Sequence, residues 1–160
     1  MSIDQIRQLN MNDHFFALLL QCFLSGYGRP CHVRTALMSL PILMYSESRE
    51  KLVKANVTSR LETIFSSMQE IYGSKLSGRE RFAGFKERYD LLLPYGKRAL
   101  IILCSEKKAI LDRKEIILLK NKDFKLYKGE VREWLRCAYY LGLICSKSSY
   151  DHLAYYLGVE

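Results

Sequence analysis

Apolar positions recur along most of the chain at the spacing of helices. From Asn12 or Asp13, either able to cap a helix, Phe15, Leu18, Leu19, Cys22 and Phe23 fall on one face at the 3.6-residue period. Gly26, Gly28 and Pro30 end that segment. From Val33 to Tyr45 the apolar run is nearly continuous, which suits a helix in the middle of a bundle; Pro41 should kink it or restart it. A short turn opens near Ser48. Ser59 with Glu62 forms a capping box ahead of Leu61, Ile64, Phe65, Met68 and Ile71, and Gly73-Ser74 closes that helix. Ser77 with Glu80 forms another, ahead of Phe82, Phe85, Tyr89 and Leu92, and Pro94 ends it.

After Pro94 the period changes. Tyr95 to Cys104 reads as a helix burying Leu100, Ile101 and Leu103. Ala109–Leu111 and Glu115–Leu119 then read as two strands joined by a short connection, Asp112–Lys114. A helix followed by a two-stranded ribbon is the tail of a winged-helix unit, with Arg113 and Lys114 at the tip. A last helix starts near Gly129, with Val131, Leu135, Ala138 and Gly142 on one stripe and Trp134, Leu141 and Cys145 broadening it. Ser148 with Asp151 forms a third capping box, before Leu153, Tyr156 and Leu157. The fold class is therefore mainly α with a small β-hairpin. The 160 residues form a single compact helical domain: a bundle part over 1–93, a helix and basic hairpin with a winged-helix-like character over 94–128, and C-terminal helices over 129–160.

Composition excludes several classes. Hydrophobic residues make up 49% and charged residues 26%, a globular balance and not a disordered one. No apolar run reaches the roughly 18 residues of a membrane span. The N-terminal segment carries Asp4 and has no apolar signal, so a cytoplasmic protein is expected. The five cysteines, with no Cys-x-x-Cys pair, read as buried free thiols in a reducing compartment.

Charge sharpens the picture. The net +8 is concentrated between Pro94 and Lys128, where ten cations face four anions, a net of +6; the other 125 residues carry +2. A patch of Lys107, Lys108, Arg113, Lys114, Lys120 and Lys122 on a hairpin is suited to phosphate backbones, or is simply a solvated basic face. On the last helix, Arg132, Trp134, Arg136, Tyr139 and Tyr140 have the composition of a protein-docking surface, or of core-edge packing. Recognisable chemistry is missing. Gly26-Tyr27-Gly28 lacks a phosphate loop's third glycine, His14, His32 and His152 stand in no ligand spacing, and no nucleophile motif occurs. The carboxylates gather near helix starts, where the dipole favours them. No catalytic residue, metal or cofactor is expected.

Four blocks run in order. They are Asn10 with Ala17-Leu18-Leu19 and Phe23–Tyr27; Leu40-Pro41-Ile42-Leu43 with Ser48-Arg49-Glu50; Gly84-Phe85, Arg88 and Leu93-Pro94 ahead of Arg98-Ala99-Leu100; and Val131-Arg132-Glu133, Ala138–Gly142 and Leu157-Gly158-Val159. Taken together, the series resembles the middle component of bacterial ABC three-component systems, the family that includes the small subunit of Lamassu-type antiphage defence. Asn10-Met11 stands where that family often has Asn-Pro. The resemblance implies a non-enzymatic linker between an SMC- or Rad50-like ABC ATPase and an effector, often a nuclease, with double-stranded DNA reached through the complex and no membrane involved. The basic hairpin would then touch DNA, and the Arg132–Tyr140 block would dock a partner subunit. The alternative is a free-standing winged-helix DNA-binding regulator.

Overall fold

The computed structural model describes residues 12–65 and 84–158. In the first stretch α1 spans Asp13–Tyr27, β1 Cys31–His32, α2 Val33–Met44, α3 Ser46–Leu52 and α4 Leu61–Phe65. In the second, α5 spans Phe85–Ser105, β2 Ala109–Asp112, β3 Glu115–Leu118, a 3-10 turn Phe124–Leu126, α6 Gly129–Cys145 and α7 Tyr150–Leu157. The chain is mostly helical with one small antiparallel sheet, the class its periodicity predicts. Among the described residues, buried side chains from all these helices join a single core.

Helix α1 starts as expected. The Asn12 side-chain oxygen accepts from the Phe15 N–H at 3.1 Å, and Gly28, at φ 74°, stops the helix by donating to the Leu24 carbonyl. Its burial is wider than one stripe. Phe16, Leu19, Leu20 and Phe23 are wholly buried, whereas Phe15 and Leu18 are half-buried, because α1 packs against α2, α5 and α6 together. Its approach to α6 is backbone to backbone. A Cβ on Gly26 would land on the Tyr139 carbonyl, and one on Gly142 on the Phe23 carbonyl. Only glycine permits that crossing at either position.

Two prolines fail to divide the helices. α2 runs through Pro41 as one helix buried from Thr35 to Met44, so it does not restart. Immediately after it, Arg49 donates to the Leu43 carbonyl at 3.0 Å, satisfying one of the acceptors that every helix end leaves open. α5 runs through Pro94 and joins two segments that the sequence separates. Pro94 lies on the exposed side, where water can take the carbonyl that it leaves unpaired. Within α5, Leu103 is buried as expected and Ile101 is 65% exposed, contrary to expectation. The Ser77–Glu80 capping box, with Met68, Ile71, Gly73-Ser74 and Phe82, lies outside the described residues.

The hairpin is present, with Ala109 opposite Leu118 and Asp112 opposite Glu115. Its connection is two residues, Arg113-Lys114, rather than three. The two-residue strand β1 adds to the far edge of β3, pairing Cys31 with Ile116, which gives the order β1-β3-β2. So short a strand has no period for a sequence to display. The cap of α7 is Ser149, accepting from the His152 N–H at 3.2 Å, and not Ser148 one place earlier. Four cysteines are buried, and burial pushes the Cys22 and Cys145 thiols up to about 12 and Cys137 to about 11. Cys104 is exposed, against expectation, because it stands on the outward stripe of α5. Among the described residues no helix is long and apolar enough to cross a membrane.

Candidate functional site

The six hairpin cations fall into two groups. Lys107, Lys108 and Lys120 gather at the base of the ribbon, where the Lys108 carbonyl accepts from the N–H groups of Leu119 and Lys120 at 2.8 and 3.2 Å. Lys122 follows, half-buried, its N–H donating to the Ser25 hydroxyl at 2.9 Å and its ammonium 5.7 Å above the Tyr127 ring. The buried Gln21 on α1 fixes this exit by donating to the Lys120 carbonyl at 2.9 Å. Arg113 and Lys114 stand exposed at the tip, one strand length (roughly 10–13 Å) away. Part of the charge is already compensated. Glu106 pairs with Lys108 at 2.6 Å, which holds its carboxyl below the usual range, and Asp13 pairs with Arg98 at 3.2 Å.

Backbone conformation singles out two of these cations. Among the described residues, the non-glycines with left-handed backbone are Lys107, at φ 59°, and Arg113, at φ 57°. A side chain in that region costs about 1 kcal/mol relative to glycine, so both places favour glycine and carry a cation instead.

Of the two readings that its composition allows, docking or core-edge packing, the Arg132–Tyr140 block shows internal contacts for four of its five residues. Trp134 is half-buried, edge-on to Phe15 at 5.9 Å with the Arg49 guanidinium 3.9 Å over its ring. Arg136 donates to the carbonyls of Val53 and Ala55 at 2.8 and 2.9 Å and lies 4.5 Å over Tyr140. Tyr139 and Tyr140 pack on Phe124 at 5.6 and 6.2 Å. Of the five residues only Arg132 is exposed. The other four bind α6 to α1, to the loop after α3 and to the 3-10 turn. A pattern of aromatic and arginine residues reads alike for a docking face and for such internal clamps.

A third feature escaped the sequence. A groove of about 1030 Å³ runs between α2, α5 and the hairpin. One wall is a stripe of α5 at helical spacing: Lys86, Tyr89, Leu93, Lys97, Leu100 and Cys104. The other walls are Val33, Leu37 and Met38 of α2, with Leu111 and Ile116 of the hairpin. The stripe is present in the sequence, but it crosses Pro94, where one helix was expected to end and another to begin.

The histidines serve structure. The His32 Nδ1 accepts from the Arg34 N–H at 3.1 Å, capping α2, and its ring stacks on Tyr150 at 4.2 Å. Burial first, then the neighbouring cations Arg34 and Lys114, push its pKa below the ordinary value. His152 bonds Glu62 at 2.9 Å, which holds that carboxyl below its usual range, and His14 lies 3.7 Å from Glu106. Among the described residues no three His, Cys, Asp or Glu side chains converge to hold a metal ion.

The whole chain, residues 1–160, matches the family model described as ABC-three component (ABC-3C) system Middle Component 3. No curated protein and no solved structure matches it significantly.

Proposed function

The chain belongs to the ABC-three component (ABC-3C) system Middle Component 3 family, and we propose that it works there as a non-enzymatic adaptor in the cytoplasm. Its partners in such a system are an ATPase component and an effector component. In our reading the ATPase is SMC- or Rad50-like and senses DNA, the effector is a nuclease, and the assembly is a Lamassu-type antiphage defence. The middle component couples the sensing state of one to the release of the other. The hairpin cations add an auxiliary contact to double-stranded DNA held by the complex.

The observation that carries the DNA contact is Arg113. It occupies a tip position that favours glycine, and it projects from the most basic segment of the chain, on a hairpin braced by β1. Phosphate contacts need charge and reach but no base-reading surface, which fits a patch split between the two ends of the ribbon. A sequence-specific regulator needs a polar recognition helix. The outward residues of α5 include Leu91, 68% exposed, and Ile101, so a specific footprint by the chain alone is not expected.

The test reverses charge at the tip in the assembled complex. Arg113→Glu with Lys114→Glu should weaken binding to duplex DNA and flatten its salt dependence by about two units of slope, one for each phosphate no longer neutralised. Unchanged affinity and slope would reject the hairpin contact. Retained stoichiometric assembly in the same variant keeps the adaptor role separate from that result.

A further inference from the structure

The groove between α2 and α5 has the shape and chemistry of a helix-binding site, and we infer that it docks an acidic, amphipathic helix contributed by a partner component of the ABC-3C system. This rests on the adaptor reading above and gives it a location.

The argument begins with α5. From Lys86 to Cys104 its groove-facing stripe runs about five turns, roughly 27 Å, without a break at Pro94. α2 forms the facing wall with Val33, Leu37 and Met38. Two helices and a hairpin thus present a long apolar trough with space for a third helix. At about 1030 Å³ it lies at the upper limit of small-molecule pockets. It is not enclosed, since Ile101 and Leu111 on its edge are 65% and 57% exposed. Large apolar side chains grouped in this way mark a binding surface, whereas single exposed ones do not. A helix inserting residues at i, i+3, i+4 and i+7 spans about 10 Å, so a trough of this length takes that pattern repeated over about five turns.

Charge selects the occupant. Among the described residues, Arg34, Lys86 and Lys97 line the groove against a single carboxylate, Asp90. Lys86 and Lys97 are eleven residues apart, three turns, so they project from one edge of α5 about 16 Å from each other. A docked helix with Glu or Asp along one flank would meet both ammonium groups while its apolar face fills the trough. A basic or neutral helix would leave them uncompensated at the rim of an apolar contact.

The chain carries its own reporter. Cys104 lies in the groove wall and is exposed, while Cys22, Cys31, Cys137 and Cys145 are buried with raised thiol pKa values. A maleimide should therefore modify the folded chain at Cys104, and Cys104→Ser should abolish that adduct. The experiment compares labelling rates by intact mass for the chain alone, with the ATPase component, with the effector component, and with both. Labelling should slow about tenfold or more in one of the complexes, as expected where an interface core excludes solvent. The pair Lys86→Glu and Lys97→Glu, both exposed, should weaken the same complex about tenfold while leaving the melting temperature of the free chain unchanged. A complex that forms with Cys104 labelled at the free rate overturns the groove and leaves the adaptor role standing. Slow labelling of the isolated chain at low concentration means that its own residues cover the groove, and protection that grows with concentration means a second copy does; either overturns the inference. No association with either component overturns both readings.

Discussion

Replacing Gly142 by alanine adds one methyl group where two helix backbones touch. The new Cβ would fall on the Phe23 carbonyl oxygen and lie 2.9 Å from both the Phe23 carbonyl carbon and the Tyr27 nitrogen. A carbon sits about 3.3 Å or more from a carbonyl oxygen and about 3.5–4.0 Å from another carbon, so with the Phe23 oxygen the nearest atom α1 and α6 must separate by about 1 Å or more. That movement loosens the central crossing of the core, where Phe23, Leu135, Ala138 and Leu141 are wholly buried. Overpacking of this kind costs about 1–3 kcal/mol and more where no side chain can swing aside, while alanine regains about 1 kcal/mol of helix propensity. A net loss of about 2 kcal/mol or more is expected, which lowers the melting temperature by roughly 4–8 °C in a chain of this size. Gly96→Ala is the internal control. It too is a buried helical glycine, but its Cβ would meet a methyl of Leu37 at 2.6 Å, the far end of a flexible side chain. Its cost should stay within about 1 kcal/mol of zero once propensity is counted. Thermal and urea denaturation of the two variants side by side give the comparison. If Gly142→Ala is as stable as the parent, or Gly96→Ala is the worse of the two, the backbone-contact argument is refuted.

Three further outcomes follow from the same geometry. Trp134→Ala and Arg136→Ala should each cost about 2–3 kcal/mol in urea titrations, through the missing ring packing and the two abandoned carbonyl bonds; stability at parental levels would return both residues to the docking role. Stability should fall as pH drops below about 6.5, because the unfolded chain protonates His32 more readily than the folded one, and it should level off below the depressed folded value; His32→Asn, which keeps a capping oxygen, should remove that part of the pH dependence, and an unaltered profile would count against it. Arg113→Gly should raise stability by about 1 kcal/mol, by relieving the left-handed backbone, while flattening the salt slope of DNA binding in the complex by about one unit; a loss of stability would show that the tip is not strained.

Much of this was legible from local signals. The cap at Asn12, the stop at Gly28, the hairpin after residue 108 and the stripe of Val131, Leu135, Ala138 and Gly142, apart from Val131, which is exposed, all follow from short-range rules: a side-chain oxygen three residues ahead of an N–H, a glycine able to turn left-handed, short β-type runs on either side of a turn. The concentration of charge between Pro94 and Lys128 is likewise a property of the linear chain. So is the order of blocks that places it among middle components, a membership that covers all 160 residues.

Tertiary structure decided the rest, and for one physical reason. Packing energy shared across several elements outweighs any single local preference, and no one segment records it. Pro41 and Pro94 break helices in isolation, yet α2 and α5 continue through them because buried neighbours on both sides of each proline hold the helix together. Arg136 looks the same in the sequence whether it awaits a partner or clamps Val53 and Ala55; only the path of the loop after α3 distinguishes the two. Cys104 is exposed because of the side of the 21-residue α5 on which it falls, whereas Cys22, Cys31, Cys137 and Cys145, on other elements, face the core. The groove that Cys104 lines exists only because α5 is unbroken, so it became visible only with the fold.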